Sequence, residues 1–360
     1  MKIVFRVDSS EKIGIGHVSR CLVLANKLKC KGAHIEFICK DLVGHVCDVI
    51  KEQGFIVHMI DEPSPQLPTT NVSLGRHRHC WQNDVDASTA VLESNSLSDW
   101  LVVDHYELDL KWELALRRVT KKIMVIDDLA NREHDCDLLL DQNFYQNRLV
   151  RYTGLVPDRC TKLLGPQYAL LRPEYEYVGN SISIRDGIVK NILVCFGGSD
   201  PVNQTAKVIE AVCQLRLNNV NVHVVVGRSN PWRERIRSMC DEVGNFQFYY
   251  DVTDMANLMR EADFFIGAGG STTWERCAAG LPALIVAIAD NQREISKAVA
   301  AFGAAEYLGT YQEVSVEDLR DAIRRIIRSP ETLKVMSKSA MQLSDGIGVT
   351  RVVEKMEVKN

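Results

Sequence analysis

The sequence has little that would tie its 360 residues to a membrane, a nucleic acid or a disulfide framework. It contains no run of about 18 apolar residues, so no membrane span is expected, and its short N-terminal apolar run is not typical of a signal peptide. The formal net charge is −4, whereas nucleic-acid-binding domains are usually basic. The eleven cysteines are scattered and form no Cys-x-x-Cys pair, which disfavours zinc and predicts reduced thiols. We therefore expect a cytoplasmic protein with no metal, and with neither nucleic acid nor membrane among its partners.

Several catalytic signatures are also missing. The sequence has no P-loop and no Gly-x-Ser-x-Gly elbow. Two acidic pairs, Asp84/Asp86 and Asp135/Asp137, have the Asp-x-Asp spacing of some metal sites, but neither directly follows a clear buried strand. We expect solvated acids at helix starts or in loops, and metal ligands are the less favoured alternative.

What the sequence does contain is a repeated alternation of short apolar runs and helical patterns. In the first half, six segments are predicted to be strands: 2–7, 34–39, 55–60, 100–104, 122–127 and 137–141. The segments between them have helical patterns of about 10–15 residues. Repeated βαβ units predict a parallel sheet with helices on both faces.

The pattern is interrupted around two prolines and three tyrosines before a second βαβ series begins. Its predicted strands are 191–198, 220–227, 246–250, 263–270, 282–288 and a weaker one at 304–308. Two such series predict an α/β protein with two Rossmann-like domains that face each other across a cleft. We expect an N-terminal domain at 1–172, a linker at 173–190, a C-terminal domain at 191–345 and a C-terminal helix at 346–360 that packs back on the N-terminal domain.

The first candidate site follows the first predicted strand, where Gly14-x-Gly16-His17 leads into an apolar-periodic helix. Ligands in open α/β sheets bind beyond the carboxyl ends of the strands. The positive end of a helix dipole disfavours a protonated imidazole, so a neutral His17 could accept a proton as a general base. A histidine that only packs or caps is the alternative, equally favoured on these residues alone. No acidic residue is clearly placed about 20 residues further on, which argues against a dinucleotide cofactor, and no cofactor is expected.

Two glycine-rich turns in the second half are candidate anion sites. Residues 196–201, Phe-Gly-Gly-Ser-Asp-Pro, end one strand and open a helix, with Pro201 suited to the first helical position. An ordinary turn capped by Asp200 is the slightly favoured alternative there. Residues 267–275 place three glycines and three hydroxyl side chains at one helix start, which favours a diphosphate site. Glu275 could bond ribose hydroxyls. Thr272 and Glu275 also fit the Ser/Thr-x-x-Glu pattern of a capping box, which is the alternative.

Two further segments follow predicted strands and carry polar side chains. The segment 290–292, Asp-Asn-Gln, either caps the next helix or contacts a ligand. Asp104-His105-Tyr106 ends another strand, and its adjacent acid and imidazole favour a catalytic role, with helix capping by Asp104 as the alternative.

Taken together, these motifs resemble those of a known family. The segments RVDSSEKIGIGHVSRCLVLA, VVDHY, CFGGSDP, GAGGSTTWERCAAGLP and DNQ are similar to the PseG-type UDP-sugar hydrolases of pseudaminic acid biosynthesis, a nonulosonic acid pathway. That family is related to the MurG glycosyltransferases and has the GT-B fold. The leading Arg-x-Asp…Gly-x-Gly-His-x-x-Arg segment is the most specific part of the resemblance. The segment around 269–275 is shared with MurG-like transferases, and it indicates UDP-sugar binding more than hydrolysis.

The resemblance implies hydrolysis of UDP-2,4-diacetamido-2,4,6-trideoxy-β-L-altropyranose to UDP and the free sugar, with C–O cleavage and inversion. It implies that His17 is the general base. The residues expected to contact the substrate on the sugar side are Asp8, Gly14, Gly16, Arg20, Asp104, Tyr106, Asn291 and Gln292. Those expected to bind UDP are Gly198, Ser199, Gly269, Gly270, Ser271, Thr272 and Glu275. UDP is already a good leaving group, so the carboxylate pair of glycosidases is unnecessary.

Three alternatives stay open from the sequence. They are hydrolysis of a related UDP-diacetamido sugar of another nonulosonic acid pathway, a MurG-like glycosyltransferase, and a non-catalytic UDP-sugar-binding subunit. The segment 84–89, Asp-Val-Asp-Ala-Ser-Thr, resembles a segment of the family and is predicted to start a helix near the cleft. The preceding His77 and His79 are expected in a solvated loop, with a mobile loop near the sugar as the less favoured alternative. A monomer is expected, with the UDP-sugar substrate and UDP product as partners.

Overall fold

The computed structural model describes residues 1–61, 80–93, 97–181, 183–217 and 219–356. These residues form two compact units. Unit 1 comprises the described residues of 1–142, 147–164 and 349–356, and unit 2 comprises those of 143–146 and 165–348. The division differs from the predicted one, because the main part of unit 1 ends at residue 164 and the predicted linker 173–190 belongs to unit 2.

Unit 1 is built on a seven-stranded sheet whose described pairings are all parallel. Its strands are β1 (Lys2–Val7), β2 (His34–Lys40), β3 (Ile56–Ile60), β4 (Ser98–Asp104), β5 (Thr120–Ile126), β6 (Leu138–Asp141) and β7 (Thr161–Leu164). The helices that precede unit 2 are α1 (Gly16–Cys30), α2 (Cys47–Glu52), α3 (Cys80–Glu93) and α4 (Leu110–Leu116). In space the strands follow the order β3-β2-β1-β4-β5-β6-β7.

Strand β7 was not predicted from the sequence. It has four residues, of which Thr161 and Lys162 are exposed while Leu163 and Leu164 are buried. A strand this short at the edge of a sheet shows too little periodicity to be recognised.

Unit 2 contains a six-stranded parallel sheet in the order β10-β9-β8-β11-β12-β13. Its strands are β8 (Asn191–Cys195), β9 (Asn221–Val226), β10 (Phe246–Tyr250), β11 (Phe264–Gly267), β12 (Ala283–Ala287) and β13 (Glu306–Thr310). Its helices are α5 (Pro173–Ser181), α6 (Gln204–Leu215), α7 (Arg233–Asp241), α8 (Met255–Glu261), α9 (Thr272–Ala278), α10 (Arg293–Ala301), α11 (Val316–Ile327) and α12 (Pro330–Leu343). Helices in the described ranges are too short or too polar to cross a membrane.

The segment 173–190 is not an extended connection because part of it packs into a core. It contains α5, whose Tyr175 and Val178 are buried beside Trp274 and Cys277 of α9. At the other end of the chain, the final helix α13 (Gly348–Met356) packs on unit 1. There the indole nitrogen of Trp100, in β4, donates a 3.1 Å hydrogen bond to the backbone oxygen of Met356.

In each sheet the first three strands along the chain are laid down toward one edge, and the later strands are laid down toward the other edge. We call the place between these two groups of strands the reversal point. In unit 1 this point lies between β1 and β4, and in unit 2 it lies between β8 and β11. Parallel sheets with helices on both faces open a crevice at such a point, beyond the carboxyl ends of the two strands. The segments that follow β1, β4, β8 and β11 contain most of the predicted site residues.

Candidate active site

Two residues far apart in the sequence meet at the reversal point of unit 1. Val7 at the end of β1 lies in register with Asp104 at the end of β4. His17, in the first turn of α1, is buried, and its Nδ1 is 2.6 Å from Oδ1 of Asp104. The structure therefore pairs the predicted base with a carboxylate, and Asp104 does not cap a helix, since α4 is capped by Asp109.

The surroundings of His17 determine which ring nitrogen carries the proton. Oδ1 of Asp104 lies in hydrogen-bonding range of His17 Nδ1 and of the guanidinium of Arg20, at 2.6 Å from each donor atom. Nη2 of Arg20 also lies 3.1 Å from Nδ1, but the Asp104 carboxylate is closer and would repel a lone pair on Nδ1, so we assign the proton to Nδ1. No described residue bonds Nε2. In this tautomer Nε2 has a lone pair that can accept a proton.

Arg20 keeps Asp104 in its charged form. Its Nε donates to Oδ2 of Asp104 at 2.6 Å, so the two groups form a bidentate pair. Burial opposes ionisation of Asp104, but the charge of Arg20 outweighs it and holds the pKa of this carboxyl well below its usual range. Arg20 was predicted to contact the substrate, and in the structure it supports Asp104.

The turn before His17 leaves the start of α1 open. Gly14 has φ +78°, a left-handed conformation that favours glycine, and its backbone N–H donates to Ser10. A Cβ atom built on Gly14 or Gly16 would meet no atom within 4 Å. The absence of side chains at these positions thus exposes the backbone beside His17 instead of solving a packing problem.

Tyr106 completes the surroundings of the base. Its ring lies edge-on to the ring of His17, with 4.6 Å between centroids, and it is partly exposed. Burial and the nearby carboxylate of Asp128 raise the pKa of Tyr106. Asp128, which follows β5, also accepts a 3.2 Å bond from Arg20. The sequence analysis did not identify Asp128, although its place directly after a strand end could have suggested it.

Asp8, also predicted to contact substrate, is buried in a charge network below the site. Its carboxylate accepts two bonds from Arg6, at 2.6 and 2.9 Å, and one from Nε2 of His105 at 3.0 Å. The backbone N–H of Lys40 donates to it at 2.7 Å. These contacts explain the Arg-x-Asp motif as a means of fixing the end of β1. The adjacent Asp104 and His105 therefore bond different partners and not each other.

The acids of the two Asp-x-Asp pairs are not all solvated. Asp84 is buried inside α3, where it accepts bonds from Arg6 and from the indole of Trp112. Asp135 and Asp137 both bind Arg117. The prediction of solvated acids was wrong for these three residues because it ignored distant arginines. Among the described residues, no group of three or more His, Cys, Asp or Glu side chains is arranged to hold a metal ion.

The segment 84–89 also differs from its prediction as a helix start. Helix α3 begins at Cys80, so Asp84 lies within it. His77 and His79 lie outside the described residues.

In unit 2, the turn after β8 was predicted to bind an anion, but a carboxylate of the protein itself lies there. Asp200 is buried, and it accepts bonds from the backbone N–H groups of Gln204 and Thr205 at 2.9 Å each. The helix begins at Gln204, so the prediction that Pro201 opens it was wrong. The alternative, a turn capped by Asp200, is what the structure contains. Gly198 and Ser199 remain exposed on the outer side of this turn.

The loop after β11 contains two glycines with different surroundings. A Cβ atom on Gly269 would lie 2.0 Å from Oγ of Ser296, so this glycine is required by packing. A Cβ atom on Gly270 would find only the Gln292 amide nitrogen, at 3.7 Å. Gly270 therefore leaves the backbone accessible, and Gln292 lies beside it.

The capping box proposed for this loop is not formed. Ser271 is the N-cap of α9, its side chain makes no cap hydrogen bond, and Trp274 occupies the position that a capping-box acid would need. Ser271 is exposed and Thr272 is partly exposed. Their hydroxyl groups are thus not used to close the helix end.

Glu275 lies within α9 in a setting that favours its neutral form. Burial raises the pKa of Glu275 to about 7, although the charge of Arg172 acts in the opposite direction. Tyr175 also acts to lower this pKa through a side-chain hydrogen bond, and the charge of Glu174 acts to raise it. Neither Arg172 nor Tyr175 was identified from the sequence, because Tyr175 lies in the segment that was predicted to be a linker and Arg172 directly precedes that segment.

The last predicted segment forms a short turn of 3-10 helix, Asp290–Gln292, before α10. The Gln292 side-chain oxygen accepts a 3.0 Å bond from the backbone N–H of Ile288, so it stabilises the turn. Asn291 is exposed.

Comparison with known proteins agrees with this architecture. The chain superimposes on the crystal structure of Acinetobacter baumannii MurG with a TM-score of 0.70 at 17% identity, and the match covers 99% of both chains. Residues 191–349 match the family model for the glycosyltransferase family 28 C-terminal domain. The fold, with two parallel α/β units, is therefore of the GT-B type.

Two sequence relatives narrow the assignment. The UDP-2,4-diacetamido-2,4,6-trideoxy-beta-L-altropyranose hydrolase of Campylobacter jejuni is 26% identical over 272 residues, 75% of this chain and 86% of that protein. Spore coat polysaccharide biosynthesis protein SpsG of Bacillus subtilis is 32% identical over 189 residues, 52% of this chain, and the match spans only 56% of that protein. These matches confirm the resemblance predicted from the motifs: the chain is similar to PseG-type proteins and has the GT-B fold.

Proposed function

We propose that the protein hydrolyses UDP-2,4-diacetamido-2,4,6-trideoxy-β-L-altropyranose to UDP and the free sugar, with His17 as the general base. The observation that carries the proposal is the His17–Asp104 pair at the reversal point of unit 1. It leaves Nε2 of His17 as a proton acceptor next to an open, glycine-lined turn. The named activity of the Campylobacter jejuni relative supports the choice of substrate.

In the proposed reaction, Nε2 of His17 takes a proton from water as the water oxygen attacks the anomeric carbon. The bond between that carbon and the phosphate oxygen breaks, and its electron pair leaves with UDP. The imidazolium that forms is stabilised by Asp104, which stays ionised because Arg20 is bonded to it. Attack opposite the leaving group inverts the anomeric centre. UDP departs without a proton donor because diphosphate is weakly basic.

We further propose that unit 2 binds UDP at the two turns that follow β8 and β11. Gly198 and Gly270 leave backbone accessible there, and the hydroxyl of Ser271 is not used as a cap. Backbone N–H groups and hydroxyls are suited to a diphosphate. Glu275 would accept bonds from ribose hydroxyls.

Product analysis with a panel of UDP-diacetamido-trideoxy sugars tests the proposal. UDP and free sugar should appear without any added acceptor, and the altrose derivative should react with the highest kcat/KM. A preference for a stereoisomer would assign the protein to a related nonulosonic acid pathway. Tight binding of UDP-sugars without turnover of any member of the panel would indicate a binding subunit.

A MurG-like glycosyltransferase is the second candidate, since the match to the family 28 C-terminal domain and the MurG-like fold favour it. Such an enzyme would need an acceptor hydroxyl in place of water. UDP release that depends strictly on an added acceptor would favour transfer and contradict the hydrolase.

A further inference from the structure

Exposed apolar side chains gather in the loops at the carboxyl edge of the unit 1 sheet. Six large residues that follow β1, β4, β5 and β6 have exposed fractions from 41% to 74%: Ile13, Ile15, Tyr106, Leu129, Leu149 and Val150. We call these six residues the apolar rim. A single exposed apolar residue is ordinary, but a set that shares one edge of a sheet indicates a binding surface.

Contacts connect the apolar rim to the base. The ring of Tyr106 lies edge-on to that of His17. Asp128 lies beside Tyr106, and its backbone oxygen accepts a 2.9 Å bond from Arg151, the residue that follows the last two members of the rim. Leu129 directly follows Asp128. The rim is thus continuous with the surroundings of His17.

Among the residues of the apolar rim, Ile15 is the one whose side chain is least explained by a contribution to the stability of the fold. It is the N-cap of α1, a position that favours Ser, Thr, Asp or Asn, and it makes no cap hydrogen bond. The first turn of α1 has no acidic residue either. Ile15 is 59% exposed, so burial does not compensate for the missing cap. A residue that departs from the N-cap preference, and gains neither burial nor a hydrogen bond in return, indicates a functional role.

We propose that the apolar rim selects the sugar, and that it takes a hexose ring in which methyl-bearing groups replace hydroxyls. This inference rests on the proposed function, because the sugar must lie beside His17. The proposed substrate carries a methyl group at C6 and one on each acetamido group. Contacts of these methyls with Ile15 and Leu129 would favour it over a sugar with hydroxyls at C4 and C6, such as that of UDP-GlcNAc.

The test compares Ile15→Ser and Leu129→Ser with the control Val335→Ser, which removes an exposed apolar side chain of α12 in unit 2. The rim variants should lower kcat/KM for the methyl-rich substrate about tenfold, mainly through KM, and leave inhibition by UDP unchanged. Ile15→Ser should not lower Tm, because serine is a favoured N-cap. A loss of activity without a loss of stability excludes a merely structural role. The control variant should match the wild type.

Two outcomes would overturn the inference. One is an unchanged kcat/KM in both rim variants, and the other is an equal loss in Val335→Ser. If the wild type releases no UDP from the methyl-rich substrate, the proposed function fails, and calorimetry then decides the inference separately. The ratio of Kd for the intact UDP-sugar to Kd for UDP should rise about tenfold in the rim variants, and an unchanged ratio would contradict the rim's role.

Discussion

Nδ1 of His17 lies 2.6 Å from Oδ1 of Asp104, although 87 positions separate the two residues in the sequence. The pair forms because β1 and β4 are neighbours at the point where strand order reverses. Arg20, one turn along α1 from His17, keeps the carboxylate charged. Two side chains, Asp104 and Arg20, thus fix the orientation and tautomer of the His17 imidazole.

Asp104→Asn should lower kcat about 100-fold or more, because an amide can turn its NH₂ toward Nδ1 and reverse the tautomer. KM should change little, and circular dichroism checks that the variant is folded. Asp109→Asn is the matched control, since asparagine replaces aspartate well at the N-cap of α4. An Asp104→Asn enzyme with the wild-type kcat would show that the pair has no catalytic role.

Ser271→Ala should leave Tm unchanged, because the hydroxyl makes no cap bond, and it should weaken UDP binding about tenfold. Ser315→Ala is the opposite control. Ser315 closes a complete capping box at α11, so its loss should reduce the free energy of unfolding by about 1 kcal/mol and leave UDP affinity intact. Calorimetry and thermal unfolding measure both effects. Unchanged UDP affinity in Ser271→Ala would argue against a diphosphate site in this loop.

Gly198→Ala and Gly227→Ala separate binding from packing. A Cβ atom on Gly198 meets no atom within 4 Å, so this variant should fold normally but bind UDP about tenfold more weakly. A Cβ atom on Gly227 would lie 2.4 Å from the Cα atom of Gly198, so backbone would have to move and Tm should fall by several degrees. If Gly198→Ala bound UDP normally, the turn after β8 would not contact the nucleotide.

Glu275→Gln should change how stability depends on pH. The folded protein holds a proton on Glu275 up to about pH 7, whereas the unfolded chain releases it near the ordinary glutamate pKa of 4.5. The wild type therefore loses stability from this group as pH rises between these values. Glu275→Gln should be more stable than the wild type at pH 8, by about 1–3 kcal/mol, and the difference should vanish at pH 4. Denaturant unfolding at both pH values measures this, and a constant difference would contradict the raised pKa.

Much of the fold could be predicted because buried parallel strands are continuous apolar runs. The twelve predicted strands correspond to observed ones, and among the strands of the described residues only the short edge strand β7 was missed. The apolar spacing of α1 likewise identified buried Val18, Cys21 and Leu22 correctly. Such patterns are local, so one sequence is sufficient to read them.

Partnerships between distant polar residues were not predictable in the same way. Arg6 and Asp84 are 78 positions apart, and neither sequence neighbourhood indicates that they meet. The capping box of α9 failed for a related reason, because a shift of one residue in the helix start removes it. Periodicity predicts which residues are buried, but only the folded backbone decides which charges meet.

The most direct test of the account is UDP release from UDP-2,4-diacetamido-2,4,6-trideoxy-β-L-altropyranose by His17→Asn, measured beside the wild type. Asparagine keeps a polar side chain but cannot act as a base near neutral pH. We expect turnover to fall at least about 100-fold while UDP affinity stays unchanged. Turnover near the wild-type rate would contradict the assignment of His17 as the base.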